Sequence, residues 1–170
     1  MRYTVKAPHV FRPPQVTAGV PARTVAGMEI DDSAVSPLPP DRAGRLPLHY
    51  AAGEGRIADV AACLAEDPGA VNLADRAGFT PLHFAAQGQH ADAARVLIEA
   101  GAQVTARNQV GNTALWVAVM NVRDGDGAVV RVLLAAGADP DAENNHGISA
   151  RSLAAKVANY DLMRFFPDGR

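Results

Sequence analysis

Two histidines occupy equivalent places in two similar stretches of this sequence, and histidine is the side chain most often used for proton transfer and metal binding near neutral pH. His49 stands in a Leu-His-Tyr-Ala-Ala run and His83 in a Leu-His-Phe-Ala-Ala run. Trp116 takes the same place in a third related stretch, and an indole offers no lone pair to a metal ion. The pattern therefore favours a structural role for the histidines, and the sequence contains no cysteine–histidine cluster with zinc spacing.

The other residues that could do chemistry are few. Cys63, the single cysteine, lies in an apolar helical pattern and is predicted to be a small core residue rather than a nucleophile. Asp124 and Asp126 resemble part of a calcium loop, but the further spaced oxygens and the final glutamate are missing, so a solvated turn is predicted. Asp139 and Asp141 lie in a predicted turn without an apolar pocket that could raise a carboxyl pKa. A non-catalytic protein that holds no metal or cofactor is therefore expected.

The histidine stretches belong to a unit that recurs along the chain. Each of four copies opens with a glycine, and successive glycines are 34, 33 and 36 residues apart: Gly44, Gly78, Gly111 and Gly147. The copy over 78–86 reads Gly-Phe-Thr-Pro-Leu-His-Phe-Ala-Ala. A fixed period near 33 residues with a T-P-L-H-x-A core is typical of ankyrin repeats, and the chain resembles this family over residues 41–166. The resemblance implies an all-α solenoid of four helix-turn-helix repeats joined by hairpin-like turns, in which the motif histidines hydrogen-bond the turn backbone.

Each copy predicts a turn, a first helix, a loop and a second helix. The hydroxyl of Thr80 can cap a helix start by accepting an orphan backbone N–H, and Pro81 suits the first helical position. Leu46 replaces that hydroxyl in the first copy, so its cap is expected to be weaker. The second helix of the first copy is predicted over 57–66. Units of this size bury their apolar faces only by stacking on one another.

The predicted repeats run over about 41–74, 75–107, 108–143 and 144–166. The third carries a three-residue insertion near 122–127 that joins its two helices. In the fourth, a first helix is predicted over about 149–157 and a short last helix over 159–166, with Phe165 and Phe166 folded back onto the third repeat. Arg151 stands in the slot that the other copies fill with Leu48, Leu82 and Leu115, as expected of a terminal cap with solvent on one side.

Composition limits the classes of partner. Residues 1–40 hold seven of the twelve prolines and are predicted to be a mobile tail or a segment draped on the first repeat, and 167–170 are predicted to be a C-terminal tail. The net charge of −2 argues against a general polyanion binder. No apolar run approaches the ~20 residues of a membrane span, and the N-terminus lacks the apolar core of a secretory signal. We therefore expect a cytoplasmic protein without membrane contact.

With no catalytic or metal site predicted, the exposed surface of the repeats is the candidate functional site. By resemblance, ankyrin proteins bind partners through their hairpin tips and the concave face of their first helices. Phasing each copy on its glycine places these side chains there: Arg42, Arg45, Glu54, Arg76, Phe79, Gln87, Arg107, Gln109, Val110, Asn112, Met120, Asn121, Asn145, His146 and Ile148. The arginines on successive tips are expected to favour an acidic patch on the partner. An exposed Phe79 between arginines resembles a binding hot spot, and the alternative is a solvated tip with one apolar contact.

The expected function is that of a monomeric, non-catalytic module that binds a protein partner. The Asn-Tyr-Asp run over 159–161, followed by Phe165-Phe166, is similar to the ending of small bacterial ankyrin proteins. Some of these act as immunity proteins that neutralise a toxin, and the resemblance implies an inhibitor of this kind. The alternative is a nucleic-acid-associated regulator that uses the arginine-bearing tips; the acidic total and the lack of an aromatic stacking platform count against it.

Overall fold

The structure, a computed structural model, describes residues 39–122, 126–156 and 161–166. The tails predicted over 1–40 and 167–170 lie outside these residues, apart from Pro39 and Pro40, as do residues 123–125 of the predicted insertion. Every regular element in the described part is a helix: α1 (Pro47–Gly53), α2 (Ile57–Glu66), α3 (Pro81–Gly88), α4 (Ala91–Glu99), α5 (Ala114–Met120), α6 (Ala128–Ala135), α7 (Ala150–Ala154) and two 3-10 helices, Pro68–Asn72 and Met163–Phe165. This confirms the all-α repeat solenoid.

The helices form two rows. In the inner row α1 packs on α3, α3 on α5 and α5 on α7, while α2, α4 and α6 pack in sequence in the outer row. The leucines at the fourth position after each tip glycine are almost completely buried, at 1%, 1% and 0% exposure, in one shared core: Leu48, Leu82 and Leu115. Outer-row side chains complete this core at 0% exposure: Val60, Leu97 and Leu133. The stacking expected from the repeat pattern is therefore confirmed.

Each tip is organised by one aspartate or asparagine that stands three residues before the glycine. Its Oδ1 atom accepts the backbone N–H groups two and four residues further on, at 2.8–3.1 Å: Asp41, Asp75, Asn108 and Asn144. Short polar side chains of this kind favour turns because they bind nearby backbone groups. Successive tips are then joined by backbone hydrogen bonds of 2.8–3.1 Å, such as that from the Gln109 N–H to the Ala77 carbonyl.

Gly78 shows why the tips begin with glycine. Its φ of +81° lies in the left-handed region, which glycine adopts without steric cost. A Cβ atom at this position would also lie 2.8 Å from the backbone nitrogen of Gln109 and 2.9 Å from Cα of Asn108. Both the backbone conformation and the close approach of the next tip therefore require glycine.

The starts of the inner helices are capped in two ways. The hydroxyls of Thr113 and Ser149 accept the backbone N–H groups three residues on, at 3.3 and 3.1 Å. At Thr80 the hydroxyl instead lies 2.9 Å from Nδ1 of His83, which also accepts the Thr80 backbone N–H at 3.2 Å. Thr80 and His83 thus form a capping box, in which the His83 side chain accepts the backbone N–H of the cap residue.

The fourth copy departs from the prediction in its helices. Helix α7 ends at Ala154, earlier than the predicted end at residue 157, which lies outside the described residues. The last segment forms a 3-10 helix, and Leu162 and Phe166 seal the core at 0% and 6% exposure. The described residues therefore contain three complete helix pairs and a fourth copy with one short α-helix.

Arg151, the charged residue at the leucine position of the fourth copy, forms an ion pair with Asp141. Its Nε and Nη2 atoms donate to the two carboxylate oxygens of Asp141 at 2.7 and 3.1 Å. Its guanidinium lies 5.7 Å from the ring centre of Phe166. Phe165 lies against the third repeat as predicted, with the Arg131 guanidinium 5.1 Å from its ring, whereas Phe166 contacts the fourth copy through Arg151.

Candidate functional site

The tips and the exposed side chains of α1, α3 and α5 form a continuous set of positions that we call the inner face. Six residues after each glycine stands a first row of apolar or aromatic residues, of which Tyr50 is exposed and Phe84 and Leu153 are half-buried, whereas Val117 belongs to the core. Nine residues after each glycine lies a second row: Gly53, Gln87, Met120 and Lys156. Residues three apart lie on the same side of a helix, so the two rows are neighbours.

Most of the side chains predicted for partner binding are exposed in the structure: Arg42, Glu54, Arg76, Gln87, Arg107, Gln109, Val110, Met120, Asn145 and His146. A second group is half-buried: Arg45, Phe79, Asn121 and Ile148. Val110 and Met120 stand out as apolar side chains with 43% and 59% exposure. Scattered apolar side chains on a surface are ordinary, but these two lie on the side where the tips and inner helices are uncovered.

Asn112 is a correction to the predicted set. The residue is only 8% exposed, and its Oδ1 accepts a hydrogen bond from Nδ2 of Asn144 at 2.7 Å. Its backbone carbonyl accepts from Nε2 of His83 at 3.0 Å. Asn112 therefore joins neighbouring repeats and cannot offer its side chain to a partner.

Phe79 is a second correction, because the sequence predicted an exposed aromatic at the tip. The side chain is half-buried and packs against the core. Its ring centre lies 5.6 Å from that of His83 and 6.0 Å from that of Phe84, in edge-on arrangements. Phe79 thus packs beneath the tip against His83 and Phe84, and only part of its ring is exposed to another molecule.

Arg45 differs from the other tip arginines because it is held in place. Its Nε lies 3.2 Å from Oδ2 of Asp75, whose side chain is only 2% exposed, and its guanidinium lies 5.0 Å from the ring centre of Phe84. Burial raises the pKa of Asp75, but the backbone N–H of Phe79 and the Arg45 guanidinium outweigh that effect and hold the pKa below its usual value. The positive charge of Arg45 is therefore largely neutralised by Asp75 within the protein.

The remaining tip arginines are more available. Arg107 donates from Nη1 to the carbonyl oxygen of Glu143 at 2.5 Å. Arg42 and Arg76 are exposed, and neither has an ion-pair partner among the described residues. The positive charge that the tips present to solvent therefore comes mainly from Arg42, Arg76 and Arg107.

The motif histidines, His49 and His83, hydrogen-bond backbone groups within the repeat stack. Nδ1 of His83 accepts a backbone N–H, so Nε2 carries the proton that is donated to the Asn112 carbonyl. Nδ1 of His49 accepts the Leu46 N–H at 3.0 Å, and its Nε2 is buried without a hydrogen-bond partner in the described part of the chain. Burial lowers the pKa of both imidazoles, which keeps them neutral at pH 7. The structural role is confirmed most clearly for His83.

A groove of about 310 Å³ lies between α1 and α3 on the inner face. It is lined by the buried ring of His49 and by Tyr50, Gly53, Glu54, Phe84, Gln87 and Gly88. The Tyr50 hydroxyl hydrogen-bonds a carboxylate oxygen of Asp41, which fixes the direction of the ring. Tyr50 and Phe84 are not among the residues predicted for partner binding, although both occupy the variable position inside the Leu-His-x-Ala core, which would have identified them. Across the residues that the structure describes, no group of three acidic, histidine or cysteine side chains is placed to hold a metal ion.

Comparison with known proteins agrees with this architecture. A family model described as ankyrin repeats (3 copies) matches residues 30–108 and 48–144. The chain is 29% identical over 170 residues to human BCL-6 corepressor-like protein 1 and 31% identical over 134 residues to mouse ankyrin repeat and SOCS box protein 14. It is 34% identical over 98 residues to ankyrin repeat protein nuc-2 of Neurospora crassa. These matches cover 95%, 73% and 58% of this chain.

The same matches cover only 9%, 21% and 9% of the three relatives, so the chain spans a small part of their length. The shared region is thus a module within larger proteins. In the described part of the chain, the helices are too short and too polar for any of them to pass through a lipid bilayer.

Proposed function

This chain belongs to the ankyrin repeat family, and we propose that it is a non-catalytic module that binds a protein partner through its inner face. Ankyrin repeats are generally protein–protein interaction modules. The observation that carries the proposal is the contrast between buried leucines and exposed apolar residues on the same repeats: Leu115 is 0% exposed, whereas Val110 and Met120 are 43% and 59% exposed. Apolar groups within a polar rim are the usual centre of an interface.

The exposed arginines of the tips suggest the charge of the partner. Arg42, Arg76 and Arg107 are exposed on successive tips, where they would steer an acidic patch into place and bind carboxylates in a bidentate manner. Arg45 contributes less to this attraction because Asp75 already neutralises it. We therefore propose an acidic patch on the partner opposite the tips.

A module of this kind acts by covering a site on its partner. We propose inhibition of the partner as the mode of action, in the manner of an immunity protein, on the strength of the sequence similarity at the C-terminal end. We also propose a monomer in the cytoplasm. The half-buried Cys63, whose pKa is raised by burial, suits a reducing compartment in which a lone thiol stays inert.

Binding of nucleic acid is the alternative, and the structure gives it less support. Of the four tip arginines, Arg45 is ion-paired and Arg107 is bonded to a backbone carbonyl. Phe79, the aromatic side chain at the second tip, is half-buried and packs against His83 and Phe84, which leaves little of its ring for a base to stack on.

Affinity capture on the full chain tests the two alternatives. The chain is immobilised, exposed to lysate of the source organism with and without nuclease, and the retained proteins are identified by mass spectrometry. We expect one protein in stoichiometric amount, retained after nuclease treatment and lost with the double variant Arg42→Glu/Arg76→Glu. Retention that disappears with nuclease would favour nucleic acid, and retention unaffected by the double variant would refute the acidic patch.

A further inference from the structure

We propose that the groove between α1 and α3 receives a basic side chain, an arginine or a lysine, from the protein partner. The inference rests on the proposed function and deepens it, because it assigns a chemistry to one subsite of the inner face. Three features carry it: aromatic walls, a glycine floor and the carboxylate of Glu54 in the lining.

The walls are aromatic and held in fixed positions. Tyr50 is 38% exposed, and its hydroxyl is hydrogen-bonded to Asp41. Phe84 is half-buried and is held by edge-on contact with His49, with ring centres 5.4 Å apart. The faces of such rings attract cations, and Arg45, at 5.0 Å from the Phe84 ring centre, already shows that this ring accepts a guanidinium. Walls that do not need to be ordered on binding favour affinity.

Two glycines, Gly53 and Gly88, form the floor of the groove, and close packing requires glycine at only one of them. A Cβ atom on Gly88 would lie 2.3 Å from the carbonyl oxygen of Gly53, so Gly88 is required for α1 and α3 to pack closely. A Cβ atom on Gly53 would lie 3.4 and 3.5 Å from the Phe84 side chain and 3.8 Å from its carbonyl oxygen, which are ordinary contacts, and Gly53 does not have a positive φ. The fold therefore tolerates a side chain at Gly53, and its absence leaves the groove open.

Glu54 supplies a carboxylate to the lining of the groove. Glu54, whose side chain is 60% exposed, lies 2.9 Å from Nε of Arg56. Arg56 also contacts the carboxylate of Asp59, so that two carboxylates share one cation. The positive charge of Arg45 above Phe84 is cancelled by Asp75. Because Arg56 is shared with Asp59, the Glu54 carboxylate is only partly neutralised, which favours a cation in the groove over an anionic or a neutral side chain.

The charge pattern also orients the partner. The tips present arginines, whereas the groove between α1 and α3 contains the carboxylate of Glu54. A partner that carries an acidic patch and, to one side of it, a protruding basic residue fits this pattern in one direction only. Complementarity of this kind sets the register of an interface.

A titration with small probes tests the subsite without any knowledge of the partner. The backbone amides of Gly53 and Gly88 in the full chain are followed by ¹H–¹⁵N NMR while N-acetyl-arginine amide, N-acetyl-lysine amide or N-acetyl-norleucine amide is added. We expect the two basic probes to shift both amides to saturation and the norleucine probe to have little effect. The tighter of the two basic probes identifies the preferred side chain.

Two variants test separately the role of the Glu54 carboxylate and the need for an open groove at Gly53. Glu54→Gln should weaken the basic probes by roughly two- to fivefold, the range of an exposed ion pair. Gly53→Leu should fill the groove and abolish the shift at Gly88, while Ala58→Leu on the exposed side of α2 serves as the control. Equal shifts with norleucine amide, or no effect of Glu54→Gln, would overturn the assignment of a cation. Saturable probe binding with no protein captured would count against the proposed function alone, and capture without probe binding against the subsite alone.

Discussion

The Nδ2 amide of Asn144 donates to Oδ1 of Asn112 at 2.7 Å, and this bond joins the tips of the third and fourth repeats through two buried side chains. The first two tips are joined in the same place by Arg45 and Asp75. In both pairs, the residue after the tip glycine reaches the aspartate or asparagine that organises the next tip. In these two pairs, neighbouring tips are therefore tied to each other by side chains as well as by backbone bonds.

The middle pair of tips lacks this tie. The residue after the tip glycine is Phe79 there, and Nδ2 of Asn108 is buried without a hydrogen-bond partner in the described part of the chain. A buried donor left unpaired costs free energy. The packing of Phe79 against His83 and Phe84 offsets that cost with apolar contact.

The tie between Asn112 and Asn144 predicts a loss of stability on truncation. Asn112→Ala removes the acceptor and leaves Nδ2 of Asn144 buried and unpaired, which should lower the free energy of unfolding by about 1–3 kcal/mol. Urea unfolding followed by circular dichroism measures the change. Gln87→Ala, on an exposed residue of α3, is the control and should change the value by less than about 0.5 kcal/mol. A loss no larger than that of the control would contradict the assigned role.

The ion pair at the first two tips predicts that two tip arginines behave differently. Arg45→Met leaves the buried Asp75 carboxylate without its cation and should lower the free energy of unfolding by about 1–3 kcal/mol, less than for a fully buried pair because Arg45 is 37% exposed. Arg76→Met should change it by less than about 0.5 kcal/mol. Thermal and urea unfolding of both variants checks this difference. Equal stability of the two variants would show that the Arg45–Asp75 pair contributes nothing measurable.

The close approach of the tips at Gly78 can be separated from backbone strain. Gly78 and Gly137 have similar φ angles of +81° and +85°, but a Cβ atom on Gly137 would meet nothing within 4 Å. Gly137→Ala therefore reports the cost of the left-handed backbone alone. Gly78→Ala should be less stable than Gly137→Ala by at least about 1 kcal/mol because the next tip must move. Equal losses in urea unfolding would mean that the tips have room to separate.

The buried histidines predict a loss of stability in mild acid. In the unfolded chain a histidine titrates near pH 6.5, and burial lowers the pKa of His83 and of His49 in the folded chain. Between the lowered pKa and 6.5 the unfolded chain binds more protons, so the free energy of unfolding falls as the pH falls through this window. Above about pH 7 this contribution is complete.

Urea unfolding at about pH 7.5 and about pH 5.5 measures this dependence. His83→Gln removes one titrating group and should reduce the difference between the two conditions, whereas His146→Gln, on an exposed histidine, is the control. An unchanged difference in His83→Gln would show that this imidazole titrates alike in the folded and unfolded chains.

The sequence was sufficient for the periodic part of the fold. The glycine spacing located the tips, and the buried positions of Leu48, Leu82 and Leu115 follow from the repeat register. The second helix predicted over 57–66 is α2, Ile57–Glu66. These features depend on local turn chemistry and on one helical period, both of which a single sequence displays.

The candidate site was less predictable because it depends on contacts between repeats. The pairing of Arg45 with Asp75, thirty residues away, cannot be deduced from the position of either residue in its own copy. Asn112 was predicted to be exposed for the same reason, since only the next tip buries it. Helix α7 ends earlier than predicted, and its Arg151 contacts Phe166 of the last described segment, a contact that the repeat register does not indicate.

The central claim, recognition of a protein through the inner face, is tested most directly by calorimetric titration of the captured partner into two single variants. Met120→Glu places a charge on the most exposed apolar residue of the inner face, and Glu99→Arg changes an exposed residue of the outer helix α4. We predict that Met120→Glu raises the dissociation constant at least about tenfold and that Glu99→Arg leaves it within about twofold of the wild type. Unchanged affinity for Met120→Glu together with a loss for Glu99→Arg would place the interface on the outer row and contradict the account.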